Sequence, residues 1–144
     1  TTIAKLAKPF FINEKIDITN EKKYFLVIDY ARQRVNTLAE ITAESKMFYD
    51  KLSVSPEGLR ILNDDDSQKL FQRIVSDISS ASDFDGNKFK TILIDAGNEL
   101  GIKGKDLFFP IRIVLYGDSK GPDIPLIFSI LGRAETLRRL EKYI

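Results

Sequence analysis

Apolar residues recur along this chain at intervals of three and four, and the pattern stops wherever glycine or a cluster of small polar residues intervenes. The stretch from Lys105 to Gly117 shows it best. Leu107, Phe108, Ile111, Val114 and Leu115 fall on one helical face, and Arg112 lies on the flank of that face, packed yet within reach of solvent. Asp106 is placed to cap this helix. Pro110 is placed in or near its first turn, where a missing amide proton costs least. Gly117 ends it, because only a residue without a β-carbon takes the left-handed cap cheaply. Ile124 to Leu131 is apolar nearly all round, the mark of a helix sunk in a core. Gly132 separates it from the charged segment Leu137-Arg138-Arg139-Leu140-Glu141, so residues 105–144 predict three short helices joined by two glycine breaks.

The upstream pattern is also helical. Asn20 is a cap for a helix from Glu21 to about Asn36, with Tyr24, Val27, Ile28, Ala31 and Val35 as its inward stripe. Thr37 caps the next, roughly Leu38 to Leu52, with Glu40 placed for a capping box. Ser55-Pro56-Glu57 opens another, with proline at its first position. Leu70, Phe71, Ile74, Val75 and Ile78 mark a helix within 67–80, and Ser79 to Ser82 reads as a short polar linker. Phe89, Ile92, Leu93, Ala96 and Leu100 define one more, stopped by Gly101; Gly101 and Gly104 form a helix stop followed by a turn. The first twenty residues lose helical periodicity in their second half, and Pro9-Phe10-Phe11-Ile12 reads as a segment packed against something. The start at Thr1 without methionine suggests a piece of a longer protein, or equally a trimmed one.

No alternating β pattern of useful length and no internal repeat is present, so the predicted fold is all-α, as two small helical lobes packed together. The loop Asn63-Asp64-Asp65-Asp66 divides them into residues 1–64 and 65–144. Its three aspartates lack the alternating ligands, central glycine and distal glutamate of a calcium loop, and read as an acid-rich helix N-terminus.

With 43% hydrophobic residues the chain has enough to bury a core, and with 30% charged enough to keep it soluble. No apolar run approaches the roughly 20 residues of a membrane span, and no secretory signal is visible. There is no cysteine and no histidine. Disulfides and thiolate metal sites are thereby excluded, and the commonest general base and metal ligand are missing. The net charge of +1 is uninformative, but its distribution is uneven. Residues 1–54 hold nine Lys/Arg against seven Asp/Glu, residues 55–100 five against nine, and residues 101–144 eight against five. Two readings stay open: basic ends that meet on one phosphate-binding face, or ordinary scatter.

The spaced series Phe109-Pro110-Ile111-Arg112, Gly117, Gly121-Pro122-Asp123-Ile124, Ile130-Leu131-Gly132-Arg133 and Leu137-Arg138-Arg139-Leu140-Glu141 resembles the C-terminal end of bacterial glutamyl-tRNA synthetases, which are class I aminoacyl-tRNA synthetases. Arg34-Val35-Asn36-Thr37-Leu38 resembles that family's Arg-X-X-Thr-Leu in the first anticodon-binding lobe. The family's catalytic motifs, His-Ile-Gly-His-like and Lys-Met-Ser-Lys-Ser-like, are absent, so the resemblance covers the anticodon-binding helical bundle alone.

The resemblance implies a role for each matching residue. Arg34 reads the third anticodon base and Arg112 contacts the first-base region, while Gly121, Pro122 and Ile124 form the backbone and apolar wall of that same pocket. Arg32 and Lys120 lie outside the matching motifs as candidate supporting contacts, and the loop Asp118-Ser119-Lys120 departs from some versions of the family. By their residues alone these positions have plainer readings: basic side chains near a helix C-terminus favour its dipole, and Gly-Pro marks any turn. The resemblance further implies a parent glutamate–tRNA ligase whose ATP and Mg serve a catalytic domain absent here, with no catalytic residue, metal or cofactor in this chain. Expected partners are glutamate-accepting tRNA and the N-terminal catalytic domain, with no membrane, in a cytoplasmic monomer. The competing expectations are a helical protein-interaction module without RNA binding and a small carboxylate-based hydrolase.

Overall fold

A computed structural model describes residues 2–49, 52–81 and 85–144. The chain forms two compact units, residues 1–52 and 53–144. Among the described residues the regular elements are all helical, and no helix is long and apolar enough to cross a membrane.

The first unit holds α1 (Thr2–Asn13), α2 (Glu21–Ala31) and α3 (Leu38–Ser45), followed by a tight 3-10 turn at Lys46–Phe48. The predicted packed segment around Pro9 is part of α1, which runs through the proline. Pro9 lacks the donor that would reach the Lys5 carbonyl, and beside that gap Tyr24 donates its hydroxyl to the Ala4 carbonyl at 2.5 Å. Phe11, fully buried, meets Tyr24 edge to face at 5.2 Å. Such ring pairs contribute beyond their buried area.

Asn20 caps α2 as predicted, accepting from the Lys23 amide at 3.1 Å. The helix stops at Ala31, short of the expected Asn36. The next helix is the reason: Thr37 must be extended (φ −129°, ψ 157°) for its hydroxyl to accept from the Glu40 amide at 3.3 Å, so residues 32–36 become the connection. Helix α3 is likewise shorter than predicted. It tightens after Ser45 and so drives the Phe48 ring into the core against Tyr30. Asp50 and Lys51 of that predicted helix lie outside the described residues, as does Ser82 of the predicted linker.

The second unit holds α4 (Pro56–Leu62), α5 (Asp65–Ser80), α6 (Gly86–Leu100), α7 (Lys105–Tyr116) and α8 (Ile124–Glu141). Helix α8 packs on α5, α6 and α7. Leu70, Phe71, Ile74, Ile78, Phe89, Leu93, Ile111, Leu115 and Ile127 are all fully buried between them. The compact units divide between Leu52 and Ser53, ahead of the acidic loop where the sequence pattern placed the boundary. The difference lies in α4, which packs on α7 and α5; its Leu62 is fully buried and Gly58 lies against Ile113. The aspartates open α5 as expected, with Asp65 and Asp66 in its first turn.

Helix α7 differs from expectation at its start. Gly104, at φ 62°, holds the N-cap position, and Asp106 lies in the first turn, where its charge suits the dipole without capping. Pro110 is interior, and its missing amide leaves the carbonyl of the exposed Asp106 to solvent. Gly117 ends the helix in the left-handed conformation, and Gly132 (φ 78°, ψ 170°) breaks α8 in two as the pattern predicts.

Candidate nucleic-acid interface

Each unit presents one braced arginine. In the first, Tyr30 sits in the last turn of α2, 8% exposed, with its ring edge-on to Phe48 at 5.5 Å. The connection folds back so that the Arg34 amide donates to the Ala31 carbonyl at 3.0 Å. This lays the Arg34 guanidinium over the Tyr30 face, 4.6 Å from the ring centre. A cation on an aromatic face is favourable by about 0.5–1 kcal/mol at an exposed site and restricts where the group points. Arg32 is different. It pairs with Asp29 at 3.4 Å, both side chains being largely exposed, and such pairs contribute little.

In the second unit Arg112 borders an open cleft of about 270 Å³, lined also by Lys90, Phe108, Asp123, Ile124 and Pro125. Arg112 is half-buried and donates from Nε to the Pro122 carbonyl at 3.4 Å. Among the described residues no other hydrogen bond or ion pair engages its guanidinium. Ile124 is 3% exposed and forms apolar wall. Pro122 is buried and contributes its carbonyl rather than wall. Gly121 does not line the cleft. It passes against the Tyr116 ring so closely that a β-carbon would lie 2.7 Å from ring atoms, so glycine is needed there for packing. Lys120 is exposed on the loop, which is held by its amide donating to Asp118 Oδ1 at 3.1 Å.

Lys90 and Phe108 carried no sequence signal for this site. Lys90 is brought to it by a backbone approach: Gly86 opens α6 against Pro125, whose carbonyl oxygen would lie 2.4 Å from an added β-carbon. The Phe89 and Phe128 rings, stacked at 4.9 Å, tie α6 to α8 one turn further on.

Other cations near the C-terminus are committed inward. Arg139, 3% exposed, donates to the Leu115 carbonyl at 2.6 Å and to Glu135 at 3.0 Å. Arg133 donates to the Ile78 and Ala81 carbonyls, each at 2.6 Å. These carbonyls lie at the ends of α7 and α5, where intrahelical donors run out, although that of Ile78 also accepts from the Ala81 amide at 3.2 Å. The Arg138 hydrogen bond, with help from Arg139, brings the Glu135 carboxyl down to about 2 against the cost of burial. A larger cleft of about 430 Å³ lies among α4 and the starts of α5 and α7. Its Glu57, Asp64 and Asp106 outnumber Arg60 and Lys105, a balance that disfavours a phosphate backbone.

Fold and side chains together define an all-helical recognition module with arginines held at open apolar surfaces. Residues 2–144 match the family described as "Anticodon binding domain", and the chain belongs to that family. A glutamate–tRNA ligase of Acholeplasma laidlawii is 33% identical over 138 residues, which is 95% of this chain and 31% of that protein. Another, of Natranaerobius thermophilus, is 26% identical over 145 residues, covering 96% and 30%. The crystal structure of a glutamate–tRNA ligase from Elizabethkingia meningosepticum superposes on 99% of this chain and 28% of its own with a TM-score of 0.84 at 23% identity, a likeness of fold. The resemblance carried by residues 34–38 and 105–141 thus extends over almost the whole chain. The chain spans about a third of the length of these relatives.

Proposed function

We propose that this chain is the anticodon-recognition part of a glutamate–tRNA ligase. Single-stranded, splayed bases are the part of RNA open to sequence reading, since the A-form major groove is too narrow for side chains. An arginine suits the task because its planar donors meet base acceptors in pairs. In this reading Arg112, with Ile124 as wall and the Pro122 carbonyl as brace, contacts the first anticodon base. Arg34, steadied on Tyr30, reads the third. Arg32 and Lys120 add weak backbone contacts, and Gly121 shapes the loop. Glutamylation, with its ATP and Mg, belongs to a catalytic domain elsewhere in the parent, which acts as a cytoplasmic monomer on glutamate-accepting tRNA.

The observation that supports this best is the bracing of Arg112 at a base-sized, apolar-walled cleft with its terminal donors uncommitted. The test is binding to glutamate tRNA across salt concentrations, with Arg34→Gln beside the unaltered chain. Affinity should fall steeply with salt as counterions are released. Arg34→Gln should lose about 1–3 kcal/mol of preference for cytosine at the third anticodon position. Binding that ignores both salt and anticodon sequence would identify a protein-interaction module instead.

A further inference from the structure

We propose that Asp123 and Lys90 complete the Arg112 cleft as a nucleotide slot, with the Asp123 carboxylate accepting from the base's pairing edge and the Lys90 ammonium taking its phosphate. This rests on the reading above, that the cleft takes an unstacked anticodon base.

The position of Asp123 is the first argument. It holds the N-cap position of α8, yet its side chain makes no capping hydrogen bond. Asn20, Thr37, Ser55 and Asp85 hold the same position on four other helices and each accepts from an amide three residues on, whereas Asp64 on α5, like Asp123, does not. A cap oxygen reaches the second or third helical amide. In α8 the amide three residues on belongs to Leu126 and is present, yet the Asp123 side chain leaves it unused. Asp123 is exposed and lines the cleft together with Arg112 and Lys90, and among the described residues no side-chain hydrogen bond or ion pair engages it.

Base chemistry supplies the second argument. Cytosine presents acceptors at O2 and N3 and a donor at its amino group; uracil presents acceptors at O2 and O4 and a donor at N3. Arginine meets only the acceptors. A cleft with cations alone would leave the base's donor unpaired on entering it, which is costly in a part-buried site. A carboxylate beside the guanidinium removes that cost. Phe108, half-buried in the same wall, offers a face on which a base stacks. Lys90 is exposed at the edge of the cleft and suits the backbone, which carries charge but no sequence information.

The test uses RNA stem-loops with the glutamate anticodon, carrying at the first position either cytidine or the 4-deamino analogue pyrimidin-2-one riboside, which keeps O2 and N3 but has no donor. The unaltered chain should prefer the cytidine loop roughly tenfold, the scale of one lost hydrogen bond to a charged group. Asp123→Ala should bring that ratio close to one. Without a base contact Asp123 would only repel phosphate, so equal strengthening of both loops by Asp123→Ala, with the ratio intact, overturns the proposal. Asp123→Ser, a capping residue too short to reach the base, gives the same reading if the alanine variant melts early. Lys90→Ala should weaken both loops alike and lower the salt slope by about one; an unchanged slope overturns its role. Arg112→Ala separates the two failures. If it weakens neither loop, the cleft is not a base site and the underlying reading falls. If it weakens both while Asp123→Ala keeps the ratio, only the present inference falls.

Discussion

Two regions within residues 105–144 use arginine in opposite ways. At the end of α8, Arg139 is 3% exposed and spends its donors on the Leu115 carbonyl and Glu135, while Arg133 spends its own on the last carbonyls of α5. At the cleft, Arg112 donates from Nε to Pro122 and leaves its terminal nitrogens open. All three belong to the same spaced series of motifs, and local sequence does not tell them apart. The number of donors consumed inside the fold does. A guanidinium whose fork is filled by helix-end carbonyls is a fastener, and one braced at a single point is positioned to bind.

The contrast breaks most sharply at Arg139. Arg139→Ala should lower stability by about 3 kcal/mol, since it strips the Leu115 carbonyl of its donor and leaves Glu135 with one cationic partner fewer. Urea denaturation measures this, and a loss below about 1 kcal/mol would erase the distinction. The same cluster responds to acid. Glu135 is depressed to about 2, so its stabilising contribution is fully present above about pH 4.5 and is lost as pH falls towards 2. Thermal melts across that window should show the loss, and Glu135→Gln should remove that segment of the pH profile. Arg112→Ala should do the reverse of Arg139→Ala. Binding of glutamate tRNA weakens about tenfold, roughly 1.4 kcal/mol, while stability stays within about 0.5 kcal/mol. A large drop in melting temperature would make Arg112 a fastener too. The smallest effect belongs to Arg32→Ala, under about 0.5 kcal/mol in both stability and binding, because its Asp29 pair is exposed.

The helix starts at Asn20, Thr37 and Ser55 and the stops at Gly101 and Gly117 were readable from the chain, because a cap is settled by a residue and its neighbours within one turn. The apolar stripes were readable for the same reason, and so was the all-helical class. The prolines misled. Pro110 reads as a residue in or near a first turn and Pro9 as part of a packed segment without helical periodicity, yet both sit inside helices whose packing outweighs one lost hydrogen bond. Of the candidate site, Arg34, Arg112 and Ile124 were visible through motif spacing, whereas Lys90 and Phe108 carried no signal.

The sequence by itself determined which segments are helical, where most of them begin, and which family they build. Tertiary structure decided the compact units, by packing α4 on α7, and decided the arginines, by what stands opposite each. Arg133 meets a carbonyl 55 residues earlier and Arg139 one 24 residues earlier. Periodicity over a few turns carries no information about such partners, because the hydrogen bonds exist only once distant helices have been brought together.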